Sequence, residues 1–353
     1  MTAPIDIADA QTLDFAALQA AQGAANSSPG PRTVPAKLLE VPDDLDPATT
    51  ALVAAPYGPF WNLNAPDDAG WRAIVKQFDD ATVPLLAQAR AVLGVTIEPT
   101  TVGGVKAFIL TPREILDAHK NQLVLNFHGG GYIFGHGEAG TAEAMLMAAF
   151  GGYKVLAIDY RMAPDAPFPA GLDDAIAAWR AVAATMDPRR IAVEGTSAGA
   201  ALTLSLMLRA KAEGLPMPGA IAPGSPPADM TNTGDSRKTN EWIDSVIVSV
   251  DAPYVKGVSQ LYAHGHDLKD PLLSPIYGDF RGMPPTILTT GTRDLFLSDT
   301  VRVHRKLRRA GVVADLQVYE GQSHAQYLFD PTLTVPKEVF GEIARFFDEH
   351  LAR

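Results

Sequence analysis

From about Gly94 onward, short and continuously apolar runs alternate with longer stretches of helical period. Leu123-Val124-Leu125-Asn126-Phe127, Val155 to Ile158, Ile191-Ala192-Val193, Ala220-Ile221-Ala222, Thr286-Ile287-Leu288 and Ala314 to Tyr319 read as strands. Between most of them lie helical stretches: Thr141 to Phe150, Leu172 to Thr185, Ala198 to Ala212, Ser298 to Ala310, and a last one from Val335 to Leu351. Val95 to Glu98 and Val105 to Leu110, on either side of Gly103-Gly104, read as an early hairpin. Near-continuous apolar strands alternating with helices predict an α/β fold, with a mostly parallel sheet covered on both faces. Active groups in such sheets gather at the carboxyl ends of the strands. The long interval between the Ala220 and Thr286 strands, including Pro226 to Asp270, reads as an insertion that folds over the sheet top.

Residues 1 to about 90 carry no strand pattern of their own. A Pro/Gly/Ser-rich stretch from Gly23 to Pro47 separates two helical patterns. Trp71, Ile74, Val75 and Phe78 fall at i, i+3, i+4 and i+7, so their side chains share one helix face and should grip another surface. The cluster Tyr57, Phe60 and Trp61 could line an apolar substrate pocket, but packing of this appended segment explains it equally well, so it is not counted as part of a site.

Four strand-to-loop junctions carry chemistry. Gly195-Thr196-Ser197-Ala198-Gly199 stands between the Ile191 strand and a long helix. A strand-turn-helix that sharp leaves almost no room for side chains two residues before and after its apex. Glycine occupies both places, and the geometry lifts Ser197 Oγ above the sheet at the positive end of the helix. Ser197 is the candidate nucleophile. The Leu123 strand runs into His128-Gly129-Gly130-Gly131-Tyr132, where bare glycine amides can approach a ligand. The spacing fits neither a dinucleotide fingerprint nor a P-loop, because Phe134 stands where the third glycine belongs and no Gly-Lys-Ser/Thr follows. That leaves an oxyanion hole, with Gly129, Gly130 and the amide of Ala198 as donors.

A serine hydroxyl needs a base and a group that orients it. Among eight histidines, His324 follows the carboxyl end of the last strand and is the candidate base. His264 and His266 have a metal-like H-x-H spacing but no accompanying ligand cluster, and read as solvated residues of the insertion. His136 follows the glycine loop and could stand near the pocket. Asp294, just past the Thr286 strand, is the candidate acid. Its competitor Asp299 opens a helical run after Ser298 and reads as a charge that suits the helix dipole.

Composition narrows the partners. With 40 acidic against 29 basic residues, the formal net charge of −11 disfavours a nucleic-acid or anionic-membrane surface and favours a neutral or apolar small molecule. The absence of cysteine excludes disulfides, thiolate metal sites and a cysteine nucleophile. Met1 to Ala10 lacks the basic start of a secretory signal, and no run of about 18 apolar residues is present to span a bilayer, so the expected compartment is the cytoplasm. A homo-oligomer is compatible with everything above.

Ser197, Asp294 and His324 follow one another in the chain order of α/β-hydrolases. From roughly residue 95 to 350 the chain resembles the hormone-sensitive-lipase-like esterases, bacterial family IV of that superfamily. The likeness rests on His128-Gly-Gly-Gly131, Asp159-Tyr160-Arg161-Met162-Ala163-Pro164 followed by Phe168-Pro169-Ala170, Gly195-Thr-Ser-Ala-Gly199, Asp270-Pro271-Leu272-Leu273-Ser274-Pro275, and Gly321-x-x-His324. It implies an α/β-hydrolase fold with a helical cap and carboxylic-ester hydrolysis through an acyl-serine, with no cofactor and no metal. Residues 1–90 would form the N-terminal part of the cap. Residues 91–353 would form the catalytic domain, whose insertion, about 226–270, completes the cap. Thr196 replaces the aspartate of many members, as in the GTSAG-motif subgroup, and Ala200 stands where a second glycine is usual. Arg161 is read as structural support for the loop before Pro164. The expected substrates are short-to-medium acyl or aryl esters. The alternatives are lactone or amide hydrolysis by the same residues, or a catalytically inactive small-molecule receptor.

Overall fold

The computed structural model describes residues 34, 36, 38–58 and 61–353. The first helical pattern of the chain, and Phe60 of the aromatic cluster, lie outside the described residues. Among the described residues two helices come first, α1 (Pro47–Val53) and α2 (Asp68–Leu93). Asp46 caps α1 by accepting the amides of Ala48 and Thr49, and Asp67 caps α2 by accepting that of Gly70. Gly94, in the left-handed region at φ 70°, ends α2.

Strands β1 (Thr96–Val102) and β2 (Val105–Thr111) form the expected hairpin. Its turn is Gly103-Gly104, with φ of 57° and 83°. Positive φ at both central residues is what a two-residue hairpin turn demands, and glycine meets it without strain. After them come β3 (Leu123–Asn126), α3 (Ala142–Leu146), β4 (Val155–Ile158), α4 (Ala170–Thr185), β5 (Ile191–Thr196), α5 (Ala198–Ala212) and β6 (Ala220–Gly224). The insertion holds α6 (Ser236–Thr239) and α7 (Pro253–Ala263). The chain then completes β7 (Thr286–Gly291), α8 (Leu297–Arg309), β8 (Ala314–Tyr319) and α9 (Thr334–His350).

The strands form one sheet in the order β1-β2-β4-β3-β5-β6-β7-β8. It is parallel from β4 to β8 and antiparallel only where β2 meets β1 and β4. Both faces are buried, so alternate residues of one strand enter different cores. Leu125, Ile191, Val193 and Ile221 join Trp179, Leu204 and Val303 under α4, α5 and α8. Val124, Ala192, Ala220 and Ala222 join Met147, Phe340 and Phe347 under α3 and α9.

The apolar face of α2 meets the far side of the glycine loop. Trp71, Val75, Ile74 and Phe78 pack against Ile133, Phe134 and Ala163, and against Tyr254, Val258 and Leu261 of α7. Phe78 and Phe134 have ring centroids 4.7 Å apart. The periodicity identified the face, and the partner surface joins the glycine loop to the insertion.

Candidate active site

The sharp turn after β5 is enforced by sterics. A Cβ on Gly195 would stand 2.3 Å from the carbonyl oxygen of Phe127, and one on Gly199 would stand 1.7 Å from the same atom. Neither distance is tolerable, so both positions admit only glycine. Ser197 at the apex adopts φ 60°, ψ −123°, a backbone conformation that L residues rarely occupy. Its carbonyl accepts the amide of Ala201 in the first turn of α5, and its own amide donates to the carbonyl of Gly224 on β6.

His324, on the loop after β8, brings Nε2 to 2.8 Å from Ser197 Oγ. Its Nδ1 lies 3.2 Å from Oδ1 of Asp294, on the loop after β7. A carboxylate only accepts, so Nδ1 carries the proton and Nε2 is free to accept the serine hydroxyl. All three residues lie at carboxyl ends of strands, and the imidazole and carboxylate are buried. Asp294 also accepts from Thr290 Oγ1 at 2.8 Å and from the amide of Phe296 at 2.8 Å. Burial alone would raise its pKa. The charge and the hydrogen bond of the facing imidazole, with the Phe296 amide, bring it below the usual carboxylate value, so it stays ionised.

Gly129 presses against the turn, with the direction a Cβ would take only 2.9 Å from the carbonyl oxygen of Thr196. Gly130 has φ 105°, open only to glycine. The Ala198 amide opens α5 and has no carbonyl one turn back to bond. Asp79 of α2 anchors the loop's far end, its carboxylate accepting the amide of Gly135 at 2.9 Å and that of His136 at 3.2 Å.

Ser197 opens into a cavity of about 570 Å³, within the range of roughly 300–1,000 Å³ usual for small-molecule sites. Its walls are mainly apolar: Trp61, Phe78, Phe134, Tyr254, Phe296 and Phe329, with Leu52, Pro56, Val246 and Ile247. Trp61 thus lines the cavity, whereas Tyr57 packs its ring against Trp61 and the half-exposed Trp242. Of the two readings of this cluster, pocket lining holds for Trp61 and packing for Tyr57. His136 is exposed and pairs with Asp79 at 2.9 Å, away from the cavity wall.

The reading of Asp299 as a charge at a helix start holds for its place and leaves out its partner. It does stand in the first turn of α8, but it is fully buried, 2.5 Å from Arg237 of the insertion, and accepts the amide of Asp229. Sequence periodicity shows a helix start and cannot show the long-range cation that closes over it. Arg161, by contrast, holds Asp174 through its Nε and Nη2 and bonds the same carboxylate through its amide. His264 and His266 are exposed, and no group of three or more metal-ligating side chains occurs among the described residues.

Two carboxylates beside the site went unremarked in the sequence. Glu143 of α3 accepts the Thr196 amide at 3.0 Å and its hydroxyl at 2.6 Å, directly beneath the turn. Asp244 of the insertion accepts the amides of Leu295 and His324. Neither lies in a motif or at a strand end, so no local signal distinguishes them from other acidic residues.

A sharp strand-serine-helix turn, a carboxylate and an imidazole on the ends of the last two strands, and a glycine loop beside them define an α/β hydrolase. Residues 124–328 match the family model described as the alpha/beta hydrolase fold. An esterase of Acinetobacter venetianus is 28% identical over 253 residues, spanning 71% of this chain and 82% of its own. The crystal structure of an esterase called E25 superposes with a TM-score of 0.86 at 38% identity, covering 91% of this chain and 99% of the other. An esterase from the bacterial hormone-sensitive lipase family gives 0.69 at 30% identity, covering 82% and 100%. The chain therefore belongs to the hormone-sensitive-lipase-like esterases of the α/β-hydrolase fold, and is a carboxylic-ester hydrolase acting on small-molecule esters. No helix among the described residues is long and apolar enough to cross a membrane.

Proposed function

We propose that Ser197, His324 and Asp294 act as nucleophile, general base and orienting acid of a serine carboxylesterase for short-to-medium acyl or aryl esters. The observation that carries this reading is the unbroken hydrogen-bond path from Ser197 Oγ through the imidazole to Asp294, at an apolar cavity. Ser197 Oγ attacks the ester carbonyl carbon while His324 Nε2 takes the hydroxyl proton. The negative charge that develops on the carbonyl oxygen meets the amides of Gly129, Gly130 and Ala198. Collapse breaks the bond to the alcohol oxygen, which leaves with the proton from Nε2, and an acyl-serine remains. Water, deprotonated in turn by His324, attacks that ester and releases the acid and free Ser197. Asp294 keeps its charge throughout and holds the proton on Nδ1.

In the same reading, residues 1 to about 90 and the insertion at about 226–270 form the cap that walls the acyl side of the cavity. Gly195-Thr196-Ser197-Ala198-Gly199 supports placing the chain in the GTSAG-motif subgroup. The net charge of −11 favours dissolved, uncharged substrates over nucleic acid or anionic lipid, in the cytoplasm.

Ser197→Ala tests the reading. It is expected to abolish hydrolysis of p-nitrophenyl esters and labelling by a fluorophosphonate while leaving the melting temperature near wild type, with a rate loss of about 10⁶-fold. Near-wild-type turnover in the purified variant would remove Ser197 from the mechanism.

A further inference from the structure

Asp244 lies in the insertion between α6 and α7 and is fully buried. Its two carboxylate oxygens serve different segments. Oδ1 accepts the amides of Val246 at 2.8 Å and Ile247 at 3.0 Å, closing its own turn. Oδ2 accepts the amide of Leu295 at 2.7 Å and that of His324 at 3.2 Å. Leu295 follows Asp294 directly, and His324 carries the imidazole. One carboxylate therefore ties the backbones of the acid and the base to each other and to the insertion.

The neighbouring residues repeat the connection. The Ser245 amide donates to Ser323 Oγ at 3.0 Å, and Asn240 Nδ2 donates to the carbonyls of Thr292 and Asp294 at 3.1 and 2.9 Å. Gln326, two residues past the base, joins Ser245 Oγ to the carbonyl of Leu52 in α1, with both bonds at 3.0 Å. Loops after strands have no ladder of their own. At their bases the two bond each other directly, Thr292 N to the Tyr319 carbonyl at 3.0 Å, Arg293 N to the Gln322 carbonyl at 3.1 Å and Gly321 N to Thr292 Oγ1 at 2.8 Å, and the insertion adds the bonds at Leu295, Ser323 and His324 themselves.

We infer that Asp244 is a positioning residue for the reaction: its carboxylate holds the Leu295 and His324 amides together, fixing the tips of the Asp294 and His324 loops, and adds a second negative charge behind the imidazole. The inference rests on the triad reading above. Only a carboxylate can accept donors at both ends of the group, since an amide would turn its NH₂ toward an N–H that is already donating. The titratable groups that face Asp244 are Asp294, on the loop after β7, and His324, on the loop after β8. Burial and the charge of Asp294 push its carboxyl up to about 6, against the pull of His324 and of the backbone amides. It is therefore mainly ionised at neutral pH, where its charge favours the imidazolium formed during acyl transfer.

The test compares the full-length wild type with Asp244→Asn and Ser323→Ala in kcat, KM, fluorophosphonate labelling rate and pH profile. Asp244→Asn is expected to lower kcat and the labelling rate together by about 10- to 100-fold, with KM within about threefold of wild type. It should also move the acidic limb of the kcat/KM profile to lower pH, because a charge favouring the protonated imidazole is gone. Ser323→Ala breaks the second connection without removing charge, so kcat should fall by about three- to tenfold with the acidic limb unmoved. A folded Asp244→Asn with wild-type kcat and an unmoved limb overturns the inference. If that variant does not fold, Ser323→Ala decides: reduced kcat at unchanged KM supports the role of the insertion, and wild-type kcat overturns it. Activity surviving in Ser197→Ala would defeat the triad reading itself. An inactive Ser197→Ala beside a fully active Asp244→Asn would defeat only the positioning role.

Discussion

Asp294 and Asp299 follow the same strand, and both are fully buried, yet their surroundings give them opposite duties. Asp294 faces an imidazole and Asp299 faces a guanidinium. Asp294→Asn should leave the fold intact and lower turnover by up to about 10⁴-fold, because the base is then held in the wrong tautomer. Burial raises Asp299 above the usual carboxylate value even against Arg237, so the intact pair is only weakly favourable; breaking it leaves a buried guanidinium with neutral acceptors, Asn232 Oδ1 and the Asp229 carbonyl, and no carboxylate at hydrogen-bond distance. Asp299→Asn should therefore cost about 3 to 5 kcal/mol of stability and spare the rate at permissive temperature. Melting curves and kcat measured side by side decide this, and the reverse pattern would exchange the two roles. The position of Asp294 was legible because a strand end in a parallel sheet is a local fact of sequence. The environment of Asp299 was not, because Arg237 comes from an insertion with no repeating pattern, and only the folded chain brings the two together.

At the scale of elements, the β5-turn-α5 unit was legible almost to the residue, since its glycines answer a steric demand made by the unit itself and by Phe127. What supports it from below was not. Glu143 reaches Thr196 from α3, and Tyr327 OH lies 2.9 Å from the same Thr196 hydroxyl. Glu194 on β5 is also buried, and its carboxyl receives Asn126 Nδ2 at 3.3 Å. Burial pushes Glu143 up to about 7 from the ordinary 4.5, against its hydrogen bonds from Thr196 and Asn126; burial together with the charge of Glu143 raises Glu194 as well. A carboxyl whose pKa is raised on folding binds more protons folded than unfolded. Its contribution to stability is therefore lost as pH rises through the window from about 4.5 to about 7. Glu143→Gln keeps an acceptor for the Thr196 amide and removes the titrating charge. The fall in melting temperature between pH 5 and pH 7.5 should be smaller in this variant than in wild type. An equal fall in both would assign the pH dependence to other groups.

On the scale of the whole molecule, the sheet and its flanking helices were visible in the alternation of apolar runs, whereas the wall of the cavity was not. Residues that wall it come from α1 and the segment after it, from the glycine loop, from the insertion and from the loop after β8. Each contributes several side chains, and although Tyr254, Val258 and Tyr262 recur at helical spacing on α7, nothing in the sequence says that these segments converge. Leu52, Ala55, Pro56 and Gly58 form one side of that wall, and Val53 and Leu45 pack over Gly321 on the loop that carries His324. Removing residues 1–58 should therefore open the acyl side of the cavity while leaving the sheet and the Ser197 turn in place. Each CH₂ that a wall buries is worth about 0.8 kcal/mol, roughly fourfold in kcat/KM. In the full chain, kcat/KM should rise with each added acyl carbon until the cavity is filled. In the truncated chain that rise should flatten, with the acetate ester affected least. A panel of p-nitrophenyl esters of increasing chain length, run on both proteins, measures the two slopes. Identical slopes would show that the segment from Leu52 to Gly58 does not contact the acyl chain, and the cavity wall that matters would then be sought in Tyr254 and Val258 of α7.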